Sequence, residues 1–96
     1  MSPYRLTPEA SRDLEEIADF LAEDDAFAAA RLVDAIEEKC RALAAMPGMG
    51  RARDEFAPGL RSSLSGRYLV FFRPGDDGIQ VIRIVHGSRD LPKLFE

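Results

Sequence analysis

Apolar positions recur along this chain in two rhythms, helical in the first half and alternating in the last third. Leu14, Ile17, Ala18 and Leu21 make one stripe at helical spacing, with Asp13, Glu16 and Glu23 off it. Thr7, Pro8 and Glu9 precede the stripe as a helix start. Thr7 suits the N-cap, Pro8 the first helical position and Glu9 the positive end of the dipole. Glu23-Asp24-Asp25 interrupts the pattern, and Asp25 is a good N-cap for a second helix. Its stripe is Ala29, Leu32, Val33, Ile36, Cys40 and Leu43, and Met46-Pro47-Gly48 ends it because proline cannot extend the hydrogen-bond ladder. Two helices joined by a tight acidic turn predict an antiparallel hairpin.

Alternation begins at Leu60. Leu60, Ser62 and Leu64 alternate with Arg61, Ser63 and Ser65. After the Gly66-Arg67 turn, Tyr68, Val70 and Phe72 alternate with Leu69, Phe71 and Arg73. Pro74-Gly75-Asp76-Asp77-Gly78 has hairpin-loop chemistry and leads into a third strand from Ile79 to His86. With a short strand at Tyr4 to Leu6, the order is strand–helix–helix–strand–strand–strand. The predicted class is α+β, one domain over residues 1–96, with a helical hairpin on one face of a small antiparallel sheet. Leu60, Leu64, Leu69, Phe71, Ile82 and Ile84 are assigned to the helix-covered face. Arg61, Ser63, Tyr68, Val70, Phe72, Val81 and Arg83 are assigned to a bare face. Residues 48–59 have no period, and a connection of that length is often functional. Residues 88–96 form a tail whose Leu91, Leu94 and Phe95 either pack on the sheet or lie exposed.

Charge is divided along the chain. Residues 1–46 hold five Lys/Arg against eleven Asp/Glu, for −6, and residues 47–96 hold eight against six, for +2. The total of −4 is wrong for a protein that lives by gripping phosphates. Contact with nucleic acid would be local and without sequence-specific readout. The N-terminus lacks the apolar core of a secretory signal, and no stretch is apolar enough to span a bilayer. The single Cys40 forms no intrachain disulfide, in keeping with a cytoplasmic compartment.

The residue inventory is thin for catalysis. His86 is the one histidine and Cys40 the one cysteine, so neither a His pair nor a Cys/His metal cluster is available. No cofactor motif is visible. Strand-end His86 reads as structural and Cys40 as a small buried hydrophobe. Metal-free RNA cleavage would need a base and convergent cations, for which Arg61, Arg67, Arg83 and Arg89 are the candidates. Salt bridging to the helix acids, or to an acidic partner, is the plainer role for these arginines.

Taken in order, Tyr4-Arg5-Leu6 leading into Ala10 and Asp13-Leu14, Ala29-Ala30-Arg31-Leu32, Pro47-Gly48-Met49-Gly50-Arg51, Gly59-Leu60-Arg61, Tyr68 to Arg73 and Ile82 to Asp90 resemble the ParE branch of the ParE/RelE toxin superfamily. The resemblance implies a toxin of a bacterial type II toxin–antitoxin pair that binds DNA gyrase and is neutralised by a ParD-like antitoxin. The alternative it leaves is the RelE type, a ribosome-dependent mRNA endoribonuclease. Arg61 and Arg89 match that pattern. Ser63 stands where it has a lysine, Tyr68 where it has an arginine, and Phe95 where it has a tail tyrosine. No catalytic residue is therefore carried over, and a protein that binds rather than cuts is expected. The antitoxin is expected to contact Arg61, Tyr68, Val70, Phe72, Val81, Arg83 and Arg89, with a helix in the hairpin groove and a strand added to the sheet. The loop 48–59 and the tail 88–96 are the target-facing candidates, through Arg51, Arg53, Arg89, Lys93 and Phe95.

Overall fold

A computed structural model describes residues 4–95; Met1 to Pro3 and Glu96, the last residue of the tail, lie outside the described residues. The elements are β1 (Tyr4–Leu6), α1 (Pro8–Ala22), α2 (Ala26–Ala45), a 3-10 turn (Pro47–Met49), β2 (Arg51–Ala52), β3 (Arg61–Ser65), β4 (Tyr68–Gly75), β5 (Gly78–His86) and α3 (Leu91–Leu94). The strands form one sheet in the order β1-β5-β4-β3-β2. The α+β class and the order of the longer elements follow the sequence reading; the 3-10 turn and α3 are additions to it, and two further differences concern the sheet. The sheet is mixed, because β1 runs parallel to β5. The aperiodic loop also contributes a two-residue strand, β2, paired with Arg61 and Ser62.

The helix starts are as the sequence predicts. Thr7 Oγ1 accepts from the Ala10 N–H at 3.1 Å and donates to the Ile82 carbonyl at 2.8 Å, so one hydroxyl both caps α1 and fixes it to β5. Asp25 caps α2 by accepting from the N–H groups of Phe27 and Ala28 at 3.0 and 3.1 Å. Each cap satisfies donors that a helix start otherwise leaves unpaired.

The faces of the sheet are reversed relative to the sequence assignment. The helical hairpin covers Val70, Phe72, Ile79, Val81 and Ile84, which pack with Ala10, Ile36, Cys40 and Leu43. Leu60, Leu69, Phe71 and Val85 form a second core on the opposite face. Phe56 and Ala57 from the loop, Ile82, and Leu91, Leu94 and Phe95 from the tail close over it. The face expected to be bare is thus the helix-covered one, and the other has its own smaller cover. Leu64, assigned to the core, is 58% exposed at the end of β3.

Ile84 alone of its expected set lies under the helices, and a β-bulge is the reason. Phe72 pairs with Val81 and Phe71 with Arg83, leaving Ile82 as the extra residue. One extra residue exchanges the faces of everything beyond it. Val81 and Ile84, three apart, therefore share the helix side.

The 3-10 turn brings Gly50 against this core. Gly50 is buried, and a Cβ there would enter the ring of the fully buried Phe72. Gly50→Ala is expected to cost about 1–3 kcal/mol through overpacking. Urea denaturation should show this as a lowered midpoint at unchanged slope.

Candidate interaction surface

Two arginines of the sheet, Arg61 and Arg83, are engaged within the chain. Arg61 pairs across the sheet with Phe72, on the helix side. Its guanidinium donates from Nε to the Pro47 carbonyl at 3.2 Å, and from Nη2 to the carbonyls of Gly48 and Gly50. A cation thus satisfies the carbonyls that follow the C-terminus of α2, where the helix dipole is negative. Arg83 donates to both carboxylate oxygens of Asp13, at 2.7 and 2.9 Å. The same carboxylate accepts from the Ile84 N–H at 3.0 Å. β1 covers β5 only from Ile79 to Val81, so Asp13 occupies the edge just beyond it. The hydrogen bond to Asp13 holds the Arg83 guanidinium above its ordinary pKa, outweighing the opposite effect of burial. For Arg83, the expectation of pairing with a helix acid is met.

The remaining candidates divide into buried, engaged and exposed. Val70, Phe72 and Val81 are completely buried beneath the helices, so they offer no surface to an antitoxin. This follows from the reversal of the faces. Tyr68 is half-buried against the same core and meets His86 edge-on, with ring centroids 5.4 Å apart. Arg53 donates to Ser62 Oγ at 2.8 Å and lies over the Phe56 ring at 5.7 Å. Phe95 stacks on Phe56 at 5.4 Å and meets Phe71 edge-on at 4.9 Å. Arg53 and Phe95 therefore hold the loop and the tail over the second core. Arg51, Arg89 and Lys93 are exposed.

The nucleophile candidates are quiescent. Cys40 is 1% exposed, and burial pushes its thiol up to about 11. Burial, followed by nearby Glu37 and Cys40, also raises the pKa of Tyr4. His86 Nδ1 lies 2.7 Å from Ser88 Oγ and accepts from the Ser88 N–H at 3.1 Å, an arrangement that orders the turn after β5. Among the described residues, no group of three or more His, Cys, Asp or Glu is placed to hold a metal ion. No described helix is long and apolar enough to cross a membrane.

A surface the sequence did not mark lies at the other edge of the sheet. β2 pairs with only Arg61 and Ser62, leaving Ser63 to Ser65 of β3 without a strand on that side. A groove of about 380 Å³ opens there between β3 and α2, lined by Ala35, Lys39, Ala42 and Leu64 among others. Met46, one turn beyond Ala42, and Met49 are 62% and 52% exposed. Among the described residues, three of the five large exposed apolar side chains are thus Leu64, Met46 and Met49; the other two, Phe20 and Phe27, flank the tip of the hairpin. The alternation in β3 gives no sign of Leu64's exposure, because it depends on how little of the strand β2 covers.

The fold and this edge define a small α+β protein with an unpaired strand beside a small-residue helix face, an arrangement suited to receiving another polypeptide. The ParE toxin of type II toxin–antitoxin system, parDE, as a family pattern, matches residues 4–91. Toxin ParE1 of Mycobacterium tuberculosis is 36% identical over 100 aligned residues, 96% of each chain. Toxin ParE1 of Caulobacter vibrioides is 34% identical over 92 residues, 92% of each chain. A solved structure of the chromosomal ParDE TA system from P. aeruginosa superposes with a TM-score of 0.72 at 26% identity, over 86% of this chain and 92% of that one. The chain belongs to the ParE toxin family of type II toxin–antitoxin systems.

Asp13 satisfies both Arg83 and the Ile84 N–H, so its removal strands two donors. Asp13→Ala is expected to destabilise the fold by about 2–4 kcal/mol. Arg83→Met, which removes a donor and keeps an apolar stem, should cost less. Chemical denaturation of the two variants beside the parent checks the order.

Proposed function

We propose that this toxin acts by binding DNA gyrase rather than by catalysis, and that a ParD-like antitoxin neutralises it in the cytoplasm. The observation that carries the reading is the second core. An RNA-cleaving sheet needs an open face where cations and a base converge on a scissile phosphate. Here Phe56, Phe71 and Phe95 fill the face away from the helices, and Arg61 and Arg83 point into the chain's own contacts. Kinship with the ParE branch supports gyrase as the target. Arg51, Arg89 and Lys93 are the exposed cations of the loop and tail, and the reading assigns them to that target.

The antitoxin is assigned to the groove between α2 and β3. Ala35 and Ala42 allow a partner helix close approach, Leu64 supplies an apolar anchor, and the free edge of β3 accepts an added strand. Half-buried Tyr68 and exposed Arg89 lie toward the β3–β4 turn and extend the contact. Of the antitoxin contacts expected from the sequence, these two remain available.

The reading is tested in two parts. Expression without antitoxin should arrest growth with a DNA-damage response, and purified toxin with gyrase, DNA and ATP should accumulate cleaved DNA. Cleavage of mRNA in a translating extract, with gyrase untouched, would replace it with the endoribonuclease reading. Leu64→Glu should weaken antitoxin binding by about 2 kcal/mol, or roughly thirtyfold, while leaving toxicity intact. Unchanged antitoxin affinity in that variant would move the antitoxin off this edge.

A further inference from the structure

Strands β1, β5 and β4 carry a row of polar side chains that the proposed function does not use. Arg5 of β1 pairs with Gln80 of β5, and Gln80 pairs with Arg73 of β4. Their neighbours Ile79, Val81 and Phe72 are buried beneath the helices, so by alternation all three project from the opposite face. All three are exposed. Adjacent strands lie about 4.8 Å apart, which sets the two arginine backbones about 10 Å apart with the carboxamide between them. Together they line an open cleft of about 530 Å³, bordered by Asp76 and Asp77 of the β4–β5 turn.

Neither guanidinium has an acidic partner among the described residues, unlike that of Arg83. Among the described residues, the ion pairs are Arg53–Glu55 and Arg83–Asp13, so neither Asp76 nor Asp77 comes within 4 Å of Arg5 or Arg73. Arg73 makes one long contact, Nε to the Pro58 carbonyl at 3.4 Å. The Arg5 guanidinium has no hydrogen-bond acceptor among the described residues. Two cations flanking a neutral donor on neighbouring strands repel unless an anion is placed between them. Each guanidinium offers a planar fork that fits the two oxygens of a carboxylate, and Gln80 adds an amide donor.

The geometry points to a carboxylate-recognising site, in which Arg5, Gln80 and Arg73 take the side chain of a single Asp or Glu flanked by uncharged residues in a partner polypeptide. A nucleic-acid strand suits the cleft less well. Its successive phosphates would bring further negative charge against Asp76 and Asp77, and the chain as a whole is at −4. The site shares no lining residue with the α2–β3 groove, and it stands or falls independently of the toxin's target.

Side-chain NMR of the purified full chain tests it, with three probes: acetyl-Val-Glu-Val-amide, its Gln counterpart, and a thymidine dinucleotide. The Glu peptide should shift the Arg5 and Arg73 Nε–Hε signals and the Gln80 side-chain amide in a saturable way. The Gln peptide should bind about tenfold more weakly, the loss expected for one charge-assisted hydrogen-bonded contact. Arg73→Ala should remove the response at Arg5 while leaving the core resonances in place, and Arg73→Lys should recover only part of the affinity because it lacks the fork. Equal binding of the Glu and Gln peptides, or no saturable shift with either, would overturn the proposal. Tighter binding of the dinucleotide than of the Glu peptide would overturn it in favour of a phosphate site.

Discussion

β4 is buried on both sides, and the rest of the molecule is arranged around that fact. Leu69, Val70, Phe71 and Phe72 are four consecutive residues, none more than 6% exposed. Successive side chains of a strand point to opposite faces, so no single layer can cover them all. Two helices take one side, and the loop 53–60 with the C-terminal segment takes the other. Burying a phenylalanine is worth about 1.5–3 kcal/mol, so leaving Phe71 without its cover would cost a sizeable fraction of the net stability of a chain this small. The loop and tail are structural for this reason, whatever else they touch.

The same economy explains the polar groups. Arg61, Arg83 and Arg53 each bind a place where the backbone or a loop would otherwise be unsupported: the end of α2, the edge of β5, and the loop over Ser62. Asp13 is the most economical of these groups, since one carboxylate holds a cation and blocks an unpaired strand N–H at once. Covering an exposed strand edge with a charged group is a common guard against unwanted pairing. The β3 edge carries no such guard, and this contrast separates a protected edge from a receptive one.

Much of the fold was legible in the sequence because it depends on local chemistry. Thr7 and Asp25 mark helix starts through hydrogen bonds within three residues, and Pro8 and Met46-Pro47-Gly48 mark a start and a stop through covalent geometry. The two alternating sets of the sheet were also legible. Which set meets the helices was not, because β4 is apolar on both faces and its alternation then carries no direction. The bulge at Ile82 is visible only against the register of β4. β2 is too short to show a period, and it alone decides that Ser63 to Ser65 stay unpaired. The candidate site fared worse than the fold for the same reason. Val70, Phe72 and Val81 were assigned to the surface by the reversed face, and Leu64 to the interior.

The parallel pairing of β1 with β5 has a consequence for synthesis. Thr7 and Ile82, joined by a hydrogen bond, are separated by 75 residues. Loop closure over such a span is a slow step in folding, and ribosomes deliver roughly 5–20 residues per second. The sheet therefore stays open on its β1 side until β5 has left the ribosome. Shorter nascent chains lack the strand that completes both cores. At that rate the surface completed by β5 forms roughly 4–17 s after synthesis of the first strand begins, once residues up to His86 have emerged.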